Sequence, residues 1–384
     1  MTKSHDVAAP LDGVTVIEIG HSVAAPYAGQ ILADLGATVY KVENPKGGDD
    51  ARVWGPPFWH GVAATFQALN RNKQSVIVDL KDEADRLALK KLIAQSDVLL
   101  QNMRPGLLDS FGFGAEATRA LNSRLIHCNL GAFGDIGPMK ASTGYDPLVQ
   151  AFSGIMSVTG EPERPPIRVG PSVIDQGTGM WCAMGIITAL LTREKTGEGC
   201  TVDASLFETA LAWMTVPIVN SLASGKDGVK SGSETPMLVP YRAFMSADRY
   251  IVIAAGNNNL FRRLATVLDR PEWAEDPRFR DNADRVANRE VLNALIEDGV
   301  GKRPAAEWLV KLEAVGVPCA LVQTVKEVLA HPQTKAMDVV QDTPDERMSL
   351  VATPLRFNGQ RPRINHGAPD LGSTSLHDLI GPGD

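Results

Sequence analysis

The sequence has few cysteines and aromatic residues and no long apolar run. Its four cysteines (Cys128, Cys182, Cys200 and Cys319) form no CxxC pair, and all but Cys200 have the apolar neighbours typical of buried thiols in a reducing compartment. No apolar run approaches the roughly 18 residues that a membrane-spanning helix needs. The first ten residues are polar and lack the apolar centre of a signal peptide. These absences predict a cytoplasmic protein with no membrane partner.

The sequence also lacks an excess of positive charge and the residue spacings typical of metal sites. The chain has 38 lysine and arginine residues against 45 aspartate and glutamate residues, whereas a general nucleic-acid binder normally presents a basic face. The seven histidines include no HExxH or HxH spacing. The turn after the first apolar segment lacks the GxGxxG spacing of a dinucleotide-binding loop. We therefore expect no nucleic-acid partner, no metal site and no nicotinamide cofactor.

What the sequence does contain is a regular alternation of apolar and helix-forming segments. Apolar, β-branched segments separated by helical ones predict a parallel sheet covered by helices on both faces. The fold class predicted for the first half is α/β, with a doubly wound, Rossmann-like sheet. The predicted strands are Gly13–Gly20, Thr38–Glu43, Ser75–Leu80, Val98–Asn102 and Leu125–Leu130, and the predicted helices are Ala24–Leu35 and Asp82–Ser96.

The length predicts more than one domain, because one domain usually takes roughly 150 residues. Residues 221–235 are rich in Ser, Gly and Lys, which is typical of a linker. We predict a large Rossmann-like domain at 1–225, a smaller α+β domain at 226–325, and a segment at 326–384 that returns to the large domain. The further predicted elements are helices at Asp146–Val158, Gly177–Lys195, Leu260–Leu268, Arg289–Val300 and Ala305–Val315, and strands at Tyr241–Phe244, Tyr250–Ala255 and Leu350–Phe357.

The turn Gly20-His-Ser-Val-Ala24 partly matches the GxSxG nucleophile elbow of serine hydrolases, in which a sharp turn exposes the serine. Alanine replaces the last glycine, and no suitably spaced aspartate and histidine accompany Ser22. We interpret the turn as an ordinary strand-to-helix connection. A lone histidine at a helix start, as His21 is, favours a structural role over a catalytic one.

Polar residues follow several predicted strands, as in His21–Ala24, Lys41–Asn44 and Asn102–Arg104, and Asn70–Lys73 precedes another. The carboxyl ends of strands are where doubly wound sheets bind ligands. Each lysine or arginine alone is typical of a solvated surface charge. Their collection at strand ends favours a ligand that carries phosphate groups.

Asp175 stands in the segment Gly170-Pro-Ser-Val-Ile-Asp-Gln-Gly-Thr-Gly-Met180, just before a predicted helix. There the positive end of the helix dipole would keep its carboxylate ionised. Gly177 and Gly179 would leave open space and exposed N–H groups beside it, which suits nucleophilic attack on an activated carbonyl. The same pattern fits a simple N-cap, which aspartate often provides, so the local sequence leaves both interpretations open.

Seven segments, spread along nearly the whole chain, resemble the class III CoA-transferase family, which includes carnitine, bile-acid and formyl-CoA transferases. The segments are Pro10-Leu-Asp-Gly-Val-Thr-Val-Ile-Glu18, Ala33-Asp-Leu-Gly-Ala-Thr-Val-Tyr-Lys-Val-Glu43, Asn70-Arg-Asn-Lys-Gln-Ser-Val76, Gln101-Asn-Met-Arg-Pro-Gly106, Gly144-Tyr-Asp-Pro-Leu-Val-Gln-Ala151, Ser157-Val-Thr-Gly-Glu-Pro162 and Thr192-Arg-Glu-Lys-Thr-Gly-Glu-Gly199. The resemblance implies transfer of CoA from an acyl-CoA donor to a small carboxylic acid, with Asp175 as the nucleophile. The implied intermediates are mixed anhydrides and an aspartyl-CoA thioester. Coenzyme A enters as acyl-CoA substrate, and no tightly bound cofactor is implied.

The resemblance also implies which residues line the CoA site: Val23, Ala24, Lys41, Val78, Asp79, Leu80, Lys81, Asn102, Met103, Arg104, Tyr145 and Asp146. The oxalate-linked formyl-CoA transferase of this family differs. It has glutamine at the position of Val23, arginine at that of Asn44, and a run of four glycines with no counterpart before Ala255-Gly256. These differences argue against a formyl or oxalyl substrate and leave small dicarboxylates such as succinate as the expected acids.

Two alternatives accompany the transferase interpretation. The same fold serves α-methylacyl-CoA racemases, which resemble this chain but have histidine where it has Tyr145. Tyrosine, with a pKa normally near about 10, suits that proton transfer poorly, which favours the transferase. The other alternative is a non-catalytic acyl-CoA binding protein. In all cases the resemblance implies a homodimer of interlocked rings, each chain threaded through the other.

Overall fold

The computed structural model describes residues 9–345 and 348–380. The sequence interpretation of the first ten residues concerns mainly residues 1–8, which lie outside this part. The described chain divides into two compact units. The first comprises the chain up to Ile155, Arg168–Gly225 and the chain from Gln333 onward, and the second comprises Met156–Ile167 and Lys226–Pro332. The segment Met156–Ile167 thus groups with the second unit although it precedes the last strand of the first unit's sheet.

A six-stranded parallel sheet forms the centre of the first unit. Its strands are β1 (Thr15–Ile19), β2 (Thr38–Glu43), β3 (Gln74–Ile77), β4 (Val98–Gln101), β5 (Ile126–Gly131) and β6 (Thr201–Ser205). They lie in the order β3-β2-β1-β4-β5-β6, and every pairing is parallel. The predicted α/β fold with a parallel sheet is confirmed.

Helices lie between these strands in the chain, and two more follow β6. They are α1 (Ala24–Asp34), α2 (Ala64–Asn70), α3 (Glu83–Ala94), α4 (Leu107–Ser110), α5 (Ala115–Leu121), α6 (Asp146–Phe152), α7 (Ile155–Val158), α8 (Val173–Thr196), α9 (Leu206–Trp213) and α10 (Thr215–Ser224). Because crossovers between parallel strands are right-handed, α1 and α3 lie on opposite faces of the sheet. On the α3 face, Leu89 and Ile93 join Ile17 and Leu99 of the strands in one buried apolar cluster.

The direction in which the chain adds strands reverses between β1 and β4. From β1 it runs outward to β2 and β3, and it then returns to place β4 on the other side of β1. Doubly wound sheets bind ligands outside the carboxyl ends of the strands at such a switch point. Here those ends lead into residues 20–23 after β1 and 102–104 after β4. The sheet topology therefore directs attention to these two turns.

Several predicted helix limits differ from the structure. The single helix predicted over Asp146–Val158 is two helices, because Gly154 has a φ of +87°, a left-handed conformation that glycine adopts at little cost. The helix predicted from Gly177 begins earlier, at Val173. The predicted linker at 221–235 starts inside α10, which ends at Ser224.

The second unit is built on a three-stranded antiparallel sheet of β7 (Tyr241–Met245), β8 (Tyr250–Ala254) and β9 (Cys319–Leu321), with β8 in the centre. Its helices are α11 (Asn258–Val267), α12 (Asn282–Ala287), α13 (Arg289–Val300), α14 (Ala305–Ala314) and α15 (Val325–Ala330), with a 3-10 turn at Pro271–Ala274. Phe244, Ile251, Phe261, Leu292 and Trp308 belong to its own buried core.

After the second unit the chain rejoins the first. The remaining elements are α16 (Pro332–Ala336), an antiparallel pair of β10 (Val340–Asp342) and β11 (Ser349–Val351), and α17 (Leu376–Ile380). The strand predicted at Leu350–Phe357 is therefore shorter and begins one residue earlier. The Thr374 N–H donates to the Ser75 carbonyl of β3 at 2.9 Å, and Leu376 packs into the α3-side cluster.

The first unit also contains a 3-10 turn at Asp50–Val53 and a two-residue antiparallel pair of Phe58–Trp59 and Val62–Ala63. No single helix in the part of the chain that the structure describes is long and apolar enough to cross a membrane. The pair α9 and α10, bent by 62°, reaches that length and composition together.

Candidate active site

A cavity of about 570 Å³ opens at the switch point, entirely within the first unit. It is bordered by the turns after β1, β4 and β5 and by the N-terminal ends of α6 and α8. The predicted site residues that line it are Val23, Ala24, Asn102, Met103, Arg104, Tyr145, Asp146 and Asp175. The structure therefore brings these residues, which span more than 150 positions of the sequence, to one cavity.

Asp175 lies in the first turn of α8, as the third residue of the helix. The residue at the N-cap is Ser172, whose side chain makes no capping hydrogen bond. The interpretation of Asp175 as a simple N-cap is therefore wrong. The helix begins at Val173, four residues before the predicted Gly177, because the capping group comes from elsewhere in the chain.

That capping group is the carboxylate of Asp146, at the start of α6. Its Oδ2 accepts hydrogen bonds from the N–H groups of Ile174 at 2.8 Å and Asp175 at 3.2 Å. Its Oδ1 accepts from Gln150 Nε2 at 2.5 Å, and the side chain is almost fully buried. Since a carboxylate satisfies the open N–H groups of a helix terminus, Asp146 fixes where α8 begins and hence where Asp175 stands.

The carboxyl group of Asp175 lies in surroundings that raise its pKa. Burial, and secondly the negative charge of Asp146, raise its pKa from 3.8 to about 7. Within the described residues its carboxylate has no hydrogen-bond or ion-pair partner. Desolvation and the neighbouring like charge of Asp146 thus oppose the ionised form that the start of α8 favours. A carboxylate that is unpaired and partly desolvated is a better nucleophile than a solvated one.

Gly177 and Gly179 serve the packing of α8. Both lie inside α8 beyond its first turn, where N–H groups donate to carbonyls of the preceding turn. A Cβ at Gly177 would stand 2.6 Å from the Trp213 ring, and one at Gly179 would stand 2.6 Å from the Ala24 carbonyl oxygen. The two glycines thus allow α8 to approach α1 and α9 closely, and their N–H groups are not exposed beside Asp175 as the sequence predicted.

The turn after β1 is held from both sides. The side chain of Asn102 accepts from the His21 N–H at 3.0 Å and donates to the His21 carbonyl at 2.9 Å. Asp49 Oδ1 accepts from the Ser22 N–H at 3.0 Å. Ser22 has a φ of +70°, and its Oγ lies 3.0 Å from His21 Nδ1. Within the described residues no carboxylate contacts the His21 ring, so the third member of a serine-hydrolase triad is lacking.

Lys41 does not line either of the cavities at this edge of the sheet. Its ammonium group is fully buried, 3.0 Å from Glu18 Oε1 and 2.9 Å from Asp49 Oδ2, and it donates to the Gly20 carbonyl at 2.8 Å. Burial would lower the pKa of Lys41, but the carboxylates of Glu18 and Asp49 outweigh burial and raise it. The structure thus places Lys41 beneath the turn that Asp49 holds, out of reach of a ligand.

A second cavity of about 430 Å³ adjoins the first and shares His21, Met103 and Leu107 with it. It contains the remaining predicted residues, Val78, Asp79, Leu80 and Lys81. The two adjoining cavities together contain every predicted residue except Lys41.

Sequence reasoning missed Asp49, which joins the Ser22 turn to the buried Lys41. Its signal is its position in Gly47-Gly-Asp-Asp50, in the loop that follows β2, because the loops after strands of a doubly wound sheet lie at the ligand edge. The capping role of Asp146 had no local signal, since its partners are 28 and 29 residues away.

The chain matches the model of CoA-transferase family III over residues 11–375. It belongs to this family. The resemblance seen in the sequence segments is confirmed.

Several relatives of the chain are named as CoA transferases. The chain is 38% identical to an acetyl-CoA:oxalate CoA-transferase of Acetobacter aceti, and the alignment covers 94% of this chain and 93% of the relative. It is 35% identical to a succinate–glutarate CoA-transferase of Agrobacterium fabrum, with 95% of each chain covered. Among solved structures, a CAIB/BAIF family protein from Brucella suis has a TM-score of 0.86 at 38% identity, covering 95% of this chain and 97% of that one. The parallel α/β fold is therefore that of the family.

Proposed function

We propose that the protein is a CoA transferase that moves CoA from an acyl-CoA to a carboxylic acid, with Asp175 as its nucleophile. The observation that carries the proposal is the position of Asp175. Its carboxylate borders a cavity at the switch point, has no partner among the described residues, and has a pKa raised to about 7 by burial and by Asp146. At neutral pH a large fraction is then ionised and poorly solvated, as a covalent nucleophile requires.

The first half of the proposed reaction uses one carboxylate oxygen of Asp175. It attacks the thioester carbonyl carbon of the donor, the C–S bond breaks, and CoA leaves as the thiolate beside a mixed anhydride. The thiolate then attacks the Asp175 carbonyl of the anhydride and displaces the donor acid as a carboxylate. The product is an aspartyl-CoA thioester. A carboxylate suits this exchange because both acids that it replaces are carboxylates themselves.

The second half reverses the roles. The acceptor carboxylate attacks the aspartyl-CoA carbonyl and displaces the CoA thiolate. The acceptor and Asp175 are then joined in a second mixed anhydride. The thiolate attacks the acceptor carbonyl, the bond to Asp175 breaks, and the carboxylate of Asp175 is restored. Protons are neither consumed nor produced, so this chemistry needs no separate acid or base.

The proposed CoA site consists of the two adjoining cavities. The thioester end lies in the cavity that contains Asp175, and the remainder extends past Met103 into the cavity lined by residues 78–81. In the described part of the chain the guanidinium of Arg104 makes no ion pair or hydrogen bond, which leaves it available to a phosphate. Lys41 is left out of this set because it is buried and paired.

Short dicarboxylic acids are the proposed acyl groups. Relatives are named for oxalate, for succinate and glutarate, and for succinyl-CoA with D-citramalate, and each of these acids carries two carboxyl groups. The relative named for oxalate returns to the candidates an acid against which the sequence differences argued. The cavity that contains Asp175 also has the polar side chains that a second carboxyl group needs, among them His21 and Ser22.

The test is the intact mass of the protein after incubation with acetyl-CoA or succinyl-CoA. We expect a hydroxylamine-sensitive CoA adduct on the native chain and none on Asp175→Ala. Asp12→Ala, which removes an exposed carboxylate in the turn before β1, is the matched control and should form the adduct. No adduct with either donor, together with solvent deuterium entering the α-position of an acyl-CoA, would favour a racemase. Binding without adduct or exchange would indicate a non-catalytic binding protein.

We also propose that the protein is a homodimer, with the interlocked arrangement that the family resemblance implies. Large apolar side chains of three neighbouring helices are exposed in the first unit. We call them the α8–α10 apolar face: Met180, Trp181, Met184, Leu191, Trp213, Val216, Val219 and Leu222. An exposed apolar surface of this kind is typical of an interface. A second copy of the chain is the partner proposed to cover it.

A further inference from the structure

The turn that contains His21 and Ser22 has an unusual backbone conformation for a strand-to-helix connection, and side chains from other segments hold it. Ser22 has a φ of +70°, a region that costs a non-glycine residue about 1 kcal/mol or more. Such strain persists only where surrounding contacts impose it, and it is concentrated at functional sites. Both residues line the cavity that contains Asp175. This conformation therefore calls for a reason beyond connecting β1 to α1.

Three side chains impose it. Asn102 holds both backbone groups of His21, and Asp49 Oδ1 holds the Ser22 N–H at 3.0 Å. Asp49 is itself buried and paired with Lys41 at 2.9 Å. The backbone of the pair is thus fixed from β4 on one side and from the segment after β2 on the other. A fixed backbone gives the two side chains a defined position at the cavity wall.

The two side chains always have a hydrogen-bond donor left over. If the Ser22 hydroxyl donates to His21 Nδ1 across their 3.0 Å contact, the proton of the imidazole is on Nε2. If Nδ1–H donates to Ser22, the hydroxyl hydrogen is left for another acceptor. In either tautomer the pair can donate to an oxygen of a ligand.

Among the described residues that line this cavity, His21 and Arg104 are the basic ones. Arg104 is assigned above to a phosphate of CoA. A second carboxyl group of the acid, once removed from water, needs a donor or a positive charge beside it. Besides Arg104, the His21–Ser22 pair is the basic group at this cavity among the described residues, and Asn102 and Asp49 hold its backbone.

We propose that His21 and Ser22 bind the second carboxyl group of a dicarboxylic acyl group or acceptor and so determine the acid specificity. This inference rests on the proposed CoA-transferase function. It predicts that the protein prefers a dicarboxylic acid to a monocarboxylic acid of the same chain length, and that the preference resides in these two side chains.

The experiment compares glutarate with valerate as acceptors, with acetyl-CoA as donor, in the full-length protein and in His21→Ala and Ser22→Gly. Glycine tolerates the positive φ, so Ser22→Gly removes the hydroxyl without adding strain. We expect kcat/KM for glutarate to fall by about 10- to 100-fold in each variant, and that for valerate to change by less than about threefold. His21→Gln, which keeps a donor, should restore part of the preference. His377→Ala, at an exposed histidine of α17, is the matched control and should keep the native ratio.

Other outcomes would overturn the inference. An equal loss with both acids would mean that the pair acts on the thioester or on the turn itself, since His21 also borders the CoA cavity. An unchanged preference in both variants would assign the second carboxyl group to other residues. The Asp175 adduct measured with acetyl-CoA separates these results from a failure of the proposed function, because its formation does not involve the acceptor acid.

Discussion

At the scale of single residues, Asp175 is subject to opposing influences. The start of α8 favours its ionised form, whereas burial and the charge of Asp146 favour the protonated form and raise its pKa to about 7. Asp175, the proposed nucleophile, is therefore only partly ionised near neutral pH. The resulting carboxylate is the more reactive for being poorly solvated.

A pH dependence of the first half-reaction follows. Because a raised pKa leaves Asp175 protonated below about pH 7, the rate of adduct formation from acetyl-CoA should fall about tenfold per pH unit below that value and level off above it. Single-turnover mass measurements between pH 5 and pH 8.5 would test this. A rate that is flat down to pH 5 would contradict the raised pKa.

The variant Asp146→Asn separates the two causes of the raised pKa of Asp175, which are burial and the charge of Asp146. Removing the negative charge should lower the pKa of Asp175 and move the midpoint of the pH profile to lower pH. The variant also weakens the cap on the Ile174 and Asp175 N–H groups, so thermal unfolding should be followed in parallel. Gln150→Leu is the control, because it removes the hydrogen bond to Asp146 and keeps the charge. A midpoint that does not move in Asp146→Asn would assign the shift to burial alone.

At the scale of elements, the close approach of α1 and α8 depends on Gly179. A Cβ there would lie 2.6 Å from the Ala24 carbonyl oxygen and 3.1 Å from the Ala28 nitrogen, and neither backbone atom can move without shifting α1. Gly179→Ala should lower the free energy of unfolding by about 1 to 3 kcal/mol in urea titrations, in spite of the better helix propensity of alanine.

The matched control for this variant is Gly299→Ala in α13. Its added Cβ would meet only the end of the Leu268 side chain, at 3.2 Å, which can turn aside. We expect its stability to stay within about 1 kcal/mol of the native chain. Equal effects in the two variants would mean that the contact between α1 and α8 is not the cause.

The buried charges beneath the β1 turn form another element-scale unit. Lys41 pairs with Glu18 and Asp49, and Lys73 lies 2.7 Å from the other oxygen of Glu18. Lys41→Met would leave buried carboxylates without their main partner and should cost about 3 to 5 kcal/mol of stability. Chemical denaturation beside Lys46→Met, which removes an exposed lysine, would test it. Near-equal stability of the two variants would contradict this account.

At the scale of the whole molecule, the α8–α10 apolar face predicts self-association. Leu222 is 80% exposed and Leu191 is 65% exposed, which is costly for large apolar side chains in water. Light scattering after size-exclusion chromatography should give the mass of a dimer for the native chain. Leu222→Lys should shift the mass toward that of the monomer or reduce the soluble yield.

Leu87→Lys, at an exposed leucine of α3 outside this face, is the control for that measurement and should leave the mass unchanged. A native chain with the mass of a monomer would refute the proposed dimer. A dimer unaffected by Leu222→Lys would place the interface elsewhere.

Sequence reasoning found the features that are encoded locally. The apolar, β-branched segments predicted five strands of the sheet, and the family resemblance identified residues that the structure brings to one edge. Sequence reasoning failed where a helix limit or the burial of a side chain depends on residues far away in the sequence. The start of α8 depends on a carboxylate from α6. The burial of Lys41 depends on ion pairs with two acidic residues from other segments. The break at Gly154 was missed because a lone glycine does not by itself end a helix.

The return of the chain to β3 has a consequence for biosynthesis. Ser75 is translated early, yet its carbonyl accepts the hydrogen bond of Thr374 and its hydroxyl accepts that of the Gly372 N–H. All of the second unit is translated between these partners. A ribosome-bound nascent chain can therefore complete the second unit while the first still lacks its last contacts. During that interval the outer edge of β3 is open to chaperones, proteases and neighbouring nascent chains.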